Sequence, residues 1–143
     1  MPGVHPFFVH FPIALLCASL VAEAAAVVWR NEELSRVGWW TQLGGTVGLG
    51  CAVASGLEGA GGTMLPAGAK PLFETHEQLA FAASSIFAVL FLWRIASRSQ
   101  LPRGHKAAYL GLFAAGVAVM LLGAWYGGHM VYSFGAGVAP PPA

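Results

Sequence analysis

Charged side chains are scarce in this chain. Aspartate, glutamate, lysine and arginine together make up 9% of its 143 residues, whereas hydrophobic residues make up 57%. Soluble domains carry about 25% charged residues, so this chain has too little charge to cover a surface that faces water. The seven basic residues are scattered and the net charge is only +1, which excludes the basic footprint of a nucleic-acid-binding protein. Most of the chain is therefore expected to face lipid.

Several sequence signals are also missing. The first residues lack the basic segment of a secretory signal, and the first apolar run is long enough to span a membrane, so we expect it to remain in the mature protein. There is no Cys-x-x-Cys-His motif, which excludes covalent attachment of a c-type haem. Cys17 and Cys51 fall in apolar runs, where a free cysteine behaves as a small hydrophobe. The length allows a single domain over residues 1–143.

Four apolar runs dominate what is present, and each is near or above the ~20 residues that a spanning helix needs. Because the first and third connections are short, consecutive helices are expected to be antiparallel neighbours. The sequence therefore predicts an all-α, integral membrane four-helix bundle of up-down-up-down topology, with helices one and three on a diagonal. The predicted spans are residues 7–29, 37–60, 76–95 and 107–132.

The distribution of basic residues predicts how the bundle is oriented. The second connection carries only Lys70, whereas the first and third connections carry nearly all the other basic residues. By the positive-inside rule those two connections are cytoplasmic, so both termini and the 61–75 loop are expected on the periplasmic side of a bacterial inner membrane. The residues that set this direction are Arg30, Arg36, Arg94, Arg98, Arg103 and Lys106.

Four of the five histidines then share one membrane level. His5 and His10 lie at the outer end of helix one, His76 at the outer start of helix three and His129 at the outer end of helix four. Ionisable residues at membrane spans mark functional sites by default, and imidazole is a ligand for iron, copper and zinc. Glu58, at the outer end of helix two, is placed to join them.

The chemistry we favour for this layer is haem b. A b-type haem needs two axial histidines on opposing helices and an apolar slot with little bulk, which His10 and His76 could supply from diagonal helices. His5 and His129 could supply a second axial pair, so the sequence predicts either one haem or two. A stripe made mostly of small residues follows His10 and another follows His76 at helical spacing, and a flat ligand could approach the helices there. The stripes are Ala14, Cys17, Val21 and Ala25 after His10, and Ala80, Ala83 and Phe87 after His76.

Two other interpretations remain open. A copper or zinc site would need three or four converging ligands, for which His10, His76, His129 and Glu58 are the candidates. Alternatively, the histidines only hydrogen-bond loop carbonyls, and the protein is a non-catalytic membrane anchor or assembly subunit. The glycine-rich stripe of helix two fits that second interpretation, because small residues at three- and four-residue steps allow close helix packing. This stripe comprises Gly44, Gly48, Cys51, Ser55 and Gly59.

Glu23 is an acidic residue within the first apolar run, six positions before Trp29. A carboxylate at this depth is expected to reach the inner interface or to pair with a basic residue. A role in proton movement is the sharper alternative. The sequence does not identify a partner for it.

The segment 5–15, HPFFVHFPIAL, resembles the opening of the bacterial four-helix membrane family catalogued as domain of unknown function 2231. His76, the segment 127–132 (GGHMVY) and the segment 135–138 (GAGV) are similar to later landmarks of that family, so the resemblance covers nearly the whole chain. It implies an inner-membrane protein and an association with c-type cytochromes or periplasmic dehydrogenases. Glu58 matches the acidic residue common near the end of helix two, whereas Ser133 replaces the basic residue or histidine often found after the Val-Tyr pair.

Together these observations predict a b-type cytochrome subunit that moves electrons between a periplasmic redox partner and the membrane quinone pool. Such a subunit carries out no turnover of its own, because the cofactor carries the electron and the protein supplies geometry and potential. Since the inner face offers only the loop residue His105, the bundle is expected to be a one-sided redox module rather than a wire across the bilayer.

Overall fold

A computed structural model describes residues 5–62, 65–66, 68–102 and 104–138. Arg103 and residues 63–64 of the second connection lie outside the described part, and so do the side chains of residues 59–62, which include Gly59 of the predicted stripe. The described chain is all-helical. Its four helices are α1 (His5–Trp29), α2 (Glu32–Gly62), α3 (Lys70–Ala96) and α4 (Lys106–Phe134).

Three of the helix ends are set by capping residues, proline or glycine, and the helices therefore extend beyond the apolar spans. The Asn31 side chain accepts hydrogen bonds from the backbone N–H groups of Glu33 and Leu34, which caps α2 five residues before its predicted span. Proline opens α3 in its first turn, where the missing N–H costs nothing. Gly135 ends α4 in the left-handed conformation at φ 66°. Hydropathy therefore marked the apolar part of each helix rather than its ends.

The helices form a square in which the backbone of each helix packs against two neighbouring helices. α1 packs against α2 and α4, and α3 packs against α4 and α2, so α1 and α3 face each other across a diagonal. This confirms the predicted four-helix architecture. The end that carries His5 and His76 is called the histidine end below, and the opposite end, with the α1–α2 turn and the α3–α4 connection, is called the basic end.

The outside of the bundle is apolar, and its inside contains polar groups. Large hydrophobic side chains such as Val21, Val47 and Leu92 are more than half exposed. In contrast, Glu23 and Arg94 are completely buried. The helices α1, α3 and α4 are long and apolar enough to cross a membrane. The chain is thus a membrane protein with three candidate spans, and the crossing of the glycine-rich α2 stays a prediction.

The glycine stripe of α2 is covered by α1. A Cβ at Gly44 would lie 3.3 Å from Leu15 Cδ1, and one at Gly48 would lie 3.3 Å from Pro12 Cδ. These two glycines therefore let α1 and α2 approach each other closely. On α1, Val21 of the stripe predicted after His10 is 68% exposed and Ala14 is also exposed, whereas Cys17 of the same stripe packs against the core.

The two helical hairpins repeat the same contacts at positions that differ by 71 residues. Leu16 packs on Gly45 in the first hairpin, as Phe87 packs on Gly116 in the second. The inward positions of α1 and α3 follow the same rule. Four positions of α1 and the positions of α3 that lie 71 residues later are all buried: Pro12 and Ala83, Leu16 and Phe87, Ser19 and Leu90, and Glu23 and Arg94. The bundle is therefore built from two similar hairpins, and equivalent residues of α1 and α3 face each other along the diagonal.

Candidate functional site

His5 is held at the histidine end by the backbone of α2. Its ring is half-buried, and Nδ1 lies 2.9 Å from the carbonyl oxygen of Ala52 and 3.2 Å from Ser55 Oγ. Gly56 lies beneath the ring, since a Cβ at that position would be only 3.1 Å from His5 Cε1. A side chain at position 56 would therefore press against the imidazole.

His76 is held in the same way by α4. Its Nδ1 lies 2.8 Å from the carbonyl oxygen of Gly123, and a Cβ at Gly127 would be 3.1 Å from His76 Cε1. The pairs His5–Ala52 and His76–Gly123 are both 47 positions apart, and the histidines themselves differ by the 71 residues that relate the hairpins. The histidine end therefore contains one imidazole site twice.

The hydrogen bonds define which ring nitrogens are available. A carbonyl oxygen can only accept, so Nδ1 of each histidine carries the proton and donates it. In the neutral imidazole Nε2 then has a free lone pair. Metal-binding histidines commonly show this arrangement, in which a backbone carbonyl orients the ring through one nitrogen and leaves the other for the metal.

The two rings meet across the diagonal between α1 and α3. Their centroids are 6.1 Å apart and their planes are inclined by 88°. A metal ion that binds two imidazole nitrogens at about 2.0 to 2.1 Å from opposite sides places the ring centroids roughly 6 Å apart. The separation of the ring centroids is therefore of the size expected for two imidazoles that share one metal ion.

The other predicted ligands lie apart from this pair. His10 is exposed, and its Nδ1 contacts the carbonyl oxygen of Pro6 on its own helix at 2.6 Å. Five positions along an α-helix correspond to a rotation of about 140°, so His5 and His10 cannot both face inward. The structure thus brings His76 together with His5, and the predicted pairing of His76 with His10 is not among its contacts.

His129 and Glu58 are exposed as well. The ring of His129 stacks on Trp125, with centroids 5.4 Å apart and planes inclined by 3°, and its Nδ1 lies 3.2 Å from Ser133 Oγ. The predicted second pair, His5 with His129, is likewise not formed. Within the described ranges, no group of three or more histidine, cysteine, aspartate or glutamate side chains is arranged to hold a metal ion.

A second polar cluster, the buried network, lies toward the basic end, and the sequence had indicated only its first member. Glu23 forms an ion pair with Arg94 at 2.6 Å, with both side chains fully buried. Ser35 Oγ donates to Glu23 Oε2, and Arg94 Nη2 donates to the Ser35 hydroxyl and carbonyl oxygens. Tyr109 packs its ring 5.9 Å from the Arg94 guanidinium carbon and donates its hydroxyl proton to Gln42 Oε1 at 2.7 Å. All four helices contribute to this network.

One feature of the sequence could have pointed to Arg94. His5 precedes Glu23 by 18 positions, and His76 precedes Arg94 by the same interval. An ionisable residue inside an apolar run is itself a signal. The expected pairing of Glu23 with a basic residue is confirmed, with Arg94 as the partner.

Comparison with known proteins is consistent with this architecture. Neither a curated protein nor a solved structure matches the chain significantly. A family model does match, and its description is "Predicted membrane protein (DUF2231)". The match extends over residues 2–140, which is nearly the whole chain and includes both histidines and the buried network. The chain therefore belongs to the DUF2231 family of predicted membrane proteins.

Proposed function

We propose that this protein is a membrane-embedded b-type cytochrome subunit in which His5 and His76 are the axial ligands of one haem b. The observation that supports the proposal most directly is the contact of the two rings, 6.1 Å apart across the diagonal, each with Nδ1 engaged by a backbone carbonyl. When bound, the haem supplies a one-electron redox couple. The residues of this chain hold and orient the two imidazoles and keep them on rigid helices.

The proposal differs from the sequence-based prediction in its axial pair, which is His5 with His76 in place of His10 with His76. His10 and His129 are exposed, and neither contacts its own predicted partner, His76 or His5, so the contacts support one axial pair. One centre at one end of the bundle also supports a one-sided module. In the proposed orientation this end faces the periplasm, where a c-type cytochrome or a dehydrogenase exchanges electrons with the haem, and the quinone pool is the other partner.

The experiment is a reduced-minus-oxidised optical spectrum of the purified protein, produced with a supply of haem. We expect Soret and α bands in the wild type. His5→Ala and His76→Ala should each abolish or strongly shift these bands, because one axial ligand is lost. His10→Ala and His129→Ala are matched controls from the same end of the bundle and should leave the spectrum unchanged.

Two outcomes contradict the proposal. Absence of any haem band from well-folded, haem-supplied protein excludes the cytochrome function. Loss of the bands in His10→Ala together with their retention in His5→Ala restores the sequence-based pairing and rejects the His5–His76 pair. Elemental analysis on the same sample tests the copper or zinc alternative, for which the contacts offer two imidazoles and no third ligand among the described residues.

A second function, that of a non-catalytic anchor or assembly subunit, is favoured by a separate observation. At Gly50, Gly111 and Gly128, a Cβ would meet no atom of the described residues within 4 Å beyond the adjacent backbone of its own helix. Such open small-residue positions let a partner helix approach the backbone closely. If the protein only anchors, the double variant His5→Ala/His76→Ala should still assemble with its complex and support full activity of that complex.

A further inference from the structure

We propose that the cavity at the basic end binds the phosphate-bearing headgroup of an anionic phospholipid. The cavity has a volume of about 630 Å³ and lies where the α1–α2 turn approaches the connection between α3 and α4. This volume falls within the roughly 300–1,000 Å³ typical of small-molecule sites. Neither histidine of the proposed haem site lines it, so the two proposals are independent.

The charge of the lining favours an anion. Arg30, Arg36 and Lys106 border the cavity, and Glu32 is the one carboxylate in its lining. Among the described residues, Arg30 and Lys106 form no ion pair. Arg36 pairs with Glu33 at 3.3 Å, but both side chains are more than 60% exposed, where such a pair contributes little and can yield to a stronger partner.

The cavity lining combines buried apolar residues with exposed cations, which favours a lipid over a free ion. Ala26 and Leu101 are at least nine-tenths buried, whereas Arg30, Arg36 and Lys106 are exposed. A phospholipid offers the same combination of groups, a charged phosphate joined through an ester-linked glycerol to apolar acyl chains. Basic pockets between membrane-spanning helices bind lipid headgroups for this reason.

The position of the cavity along the bundle agrees with the depth of lipid headgroups. Trp29 and Trp40 flank the α1–α2 turn and are 71% and 62% exposed, as expected for the aromatic belt at a membrane interface. Val28 and Ile95 expose apolar surface at this end of the bundle, along which acyl chains can pack. The Ser35 side chain lines the cavity and also bonds to Glu23 and Arg94, so an occupant would contact the buried network directly.

The test uses the full chain in a zwitterionic detergent and counts bound phosphatidylglycerol by native mass spectrometry, with phosphatidylcholine and inorganic phosphate as separate probes. We expect one retained phosphatidylglycerol per chain and no retained phosphatidylcholine. The double variant Arg30→Gln/Lys106→Gln should bind phosphatidylglycerol at least tenfold more weakly. The matched control is Arg98→Gln/Lys70→Gln, which removes the same charge outside the cavity and should bind as the wild type does.

A charge-neutral variant separates the cavity from general electrostatics. Val27→Phe narrows the cavity and should also weaken phosphatidylglycerol binding, without any change in net charge. The proposal is wrong if the cavity variants bind like the wild type, or if the control pair weakens binding as much as they do. If inorganic phosphate at equal concentration displaces phosphatidylglycerol, the cavity takes a free phosphate anion and the lipid assignment is rejected.

Discussion

Glu23 and Arg94 occupy equivalent positions in the two hairpins and form a fully buried ion pair across the diagonal of the bundle. Two identical hairpins would place two like charges at this point, which is unfavourable inside a bundle. The opposite charges instead attract each other there. The pair is therefore the place where the two hairpins must differ, and it helps to fix which face of one hairpin meets the other.

Removing one partner of this pair should destabilise the protein strongly. Glu23→Gln leaves the Arg94 guanidinium buried without its counter-charge, and Arg94→Gln leaves the carboxylate in the same state. Breaking a buried ion pair in this way costs about 3–5 kcal/mol, whereas replacing both partners by apolar residues costs less. We expect thermal unfolding in detergent to show a large drop for each single variant and a smaller one for Glu23→Met/Arg94→Met. A double variant less stable than both single ones would show that the pair is not the main contribution.

Gly38 makes room for this ion pair, so Gly38→Ala should weaken it. A Cβ at position 38 would lie 2.6 Å from the Glu23 side chain and would push the carboxylate away from Arg94. Gly50, on the same helix, has open space around it, and alanine there should be neutral or stabilising by up to about 1 kcal/mol through helix propensity. Melting temperatures of the two variants measure the difference. Equal effects would mean that backbone flexibility, and not the contact with Glu23, explains the glycine.

The sequence predicted the four helices and their diagonal arrangement because long apolar runs and short connections leave few alternatives. It did not predict which face of α1 points inward. In a membrane protein both the lipid-facing and the core-facing sides are apolar, so the periodicity that identifies the buried face of a soluble helix is lost. The sequence analysis therefore selected a stripe beginning at His10, whereas the face that points inward contains His5, Pro12 and Leu16.

The sequence predicted that four histidines lie at the same end of the bundle, but it did not predict which of them contact each other. His5 and His76 meet because α1 and α3 have the same register in the two hairpins, and register depends on side-chain packing such as Leu16 on Gly45. Glu23 was expected to find a basic partner, but several basic residues lie near the same end. Only the register of α3 selects Arg94 among them.

The glycines beneath the two imidazoles should be required for the proposed haem site. Gly56→Ala and Gly127→Ala would each place a Cβ 3.1 Å from a histidine Cε1 and tilt that ring. We expect reduced haem occupancy or a shifted α band, with the protein still folded. Gly128→Ala is the control, because no atom lies within 4 Å of its Cβ position although it is adjacent in the chain. Identical spectra for all three variants would count against the two-imidazole centre.

The hydrogen bond between Tyr109 and Gln42 should stabilise the interior of the bundle independently of the ion pair. Tyr109→Phe keeps the ring beside Arg94 but removes the hydroxyl that donates to Gln42 Oε1 at 2.7 Å. Gln42 is fully buried and its Nε2 has no hydrogen-bond partner in the described part of the chain, so the amide would lose its one side-chain partner there. Leaving a buried polar group unpaired costs about 1–3 kcal/mol, which should appear as a lower melting temperature in detergent.

Tyr132→Phe, at a side chain that is 93% exposed, should have no effect. The double variant Tyr109→Phe/Gln42→Leu should recover part of the loss, because it removes both polar partners together. A fully additive loss would show that the two groups do not stabilise the fold through their mutual hydrogen bond.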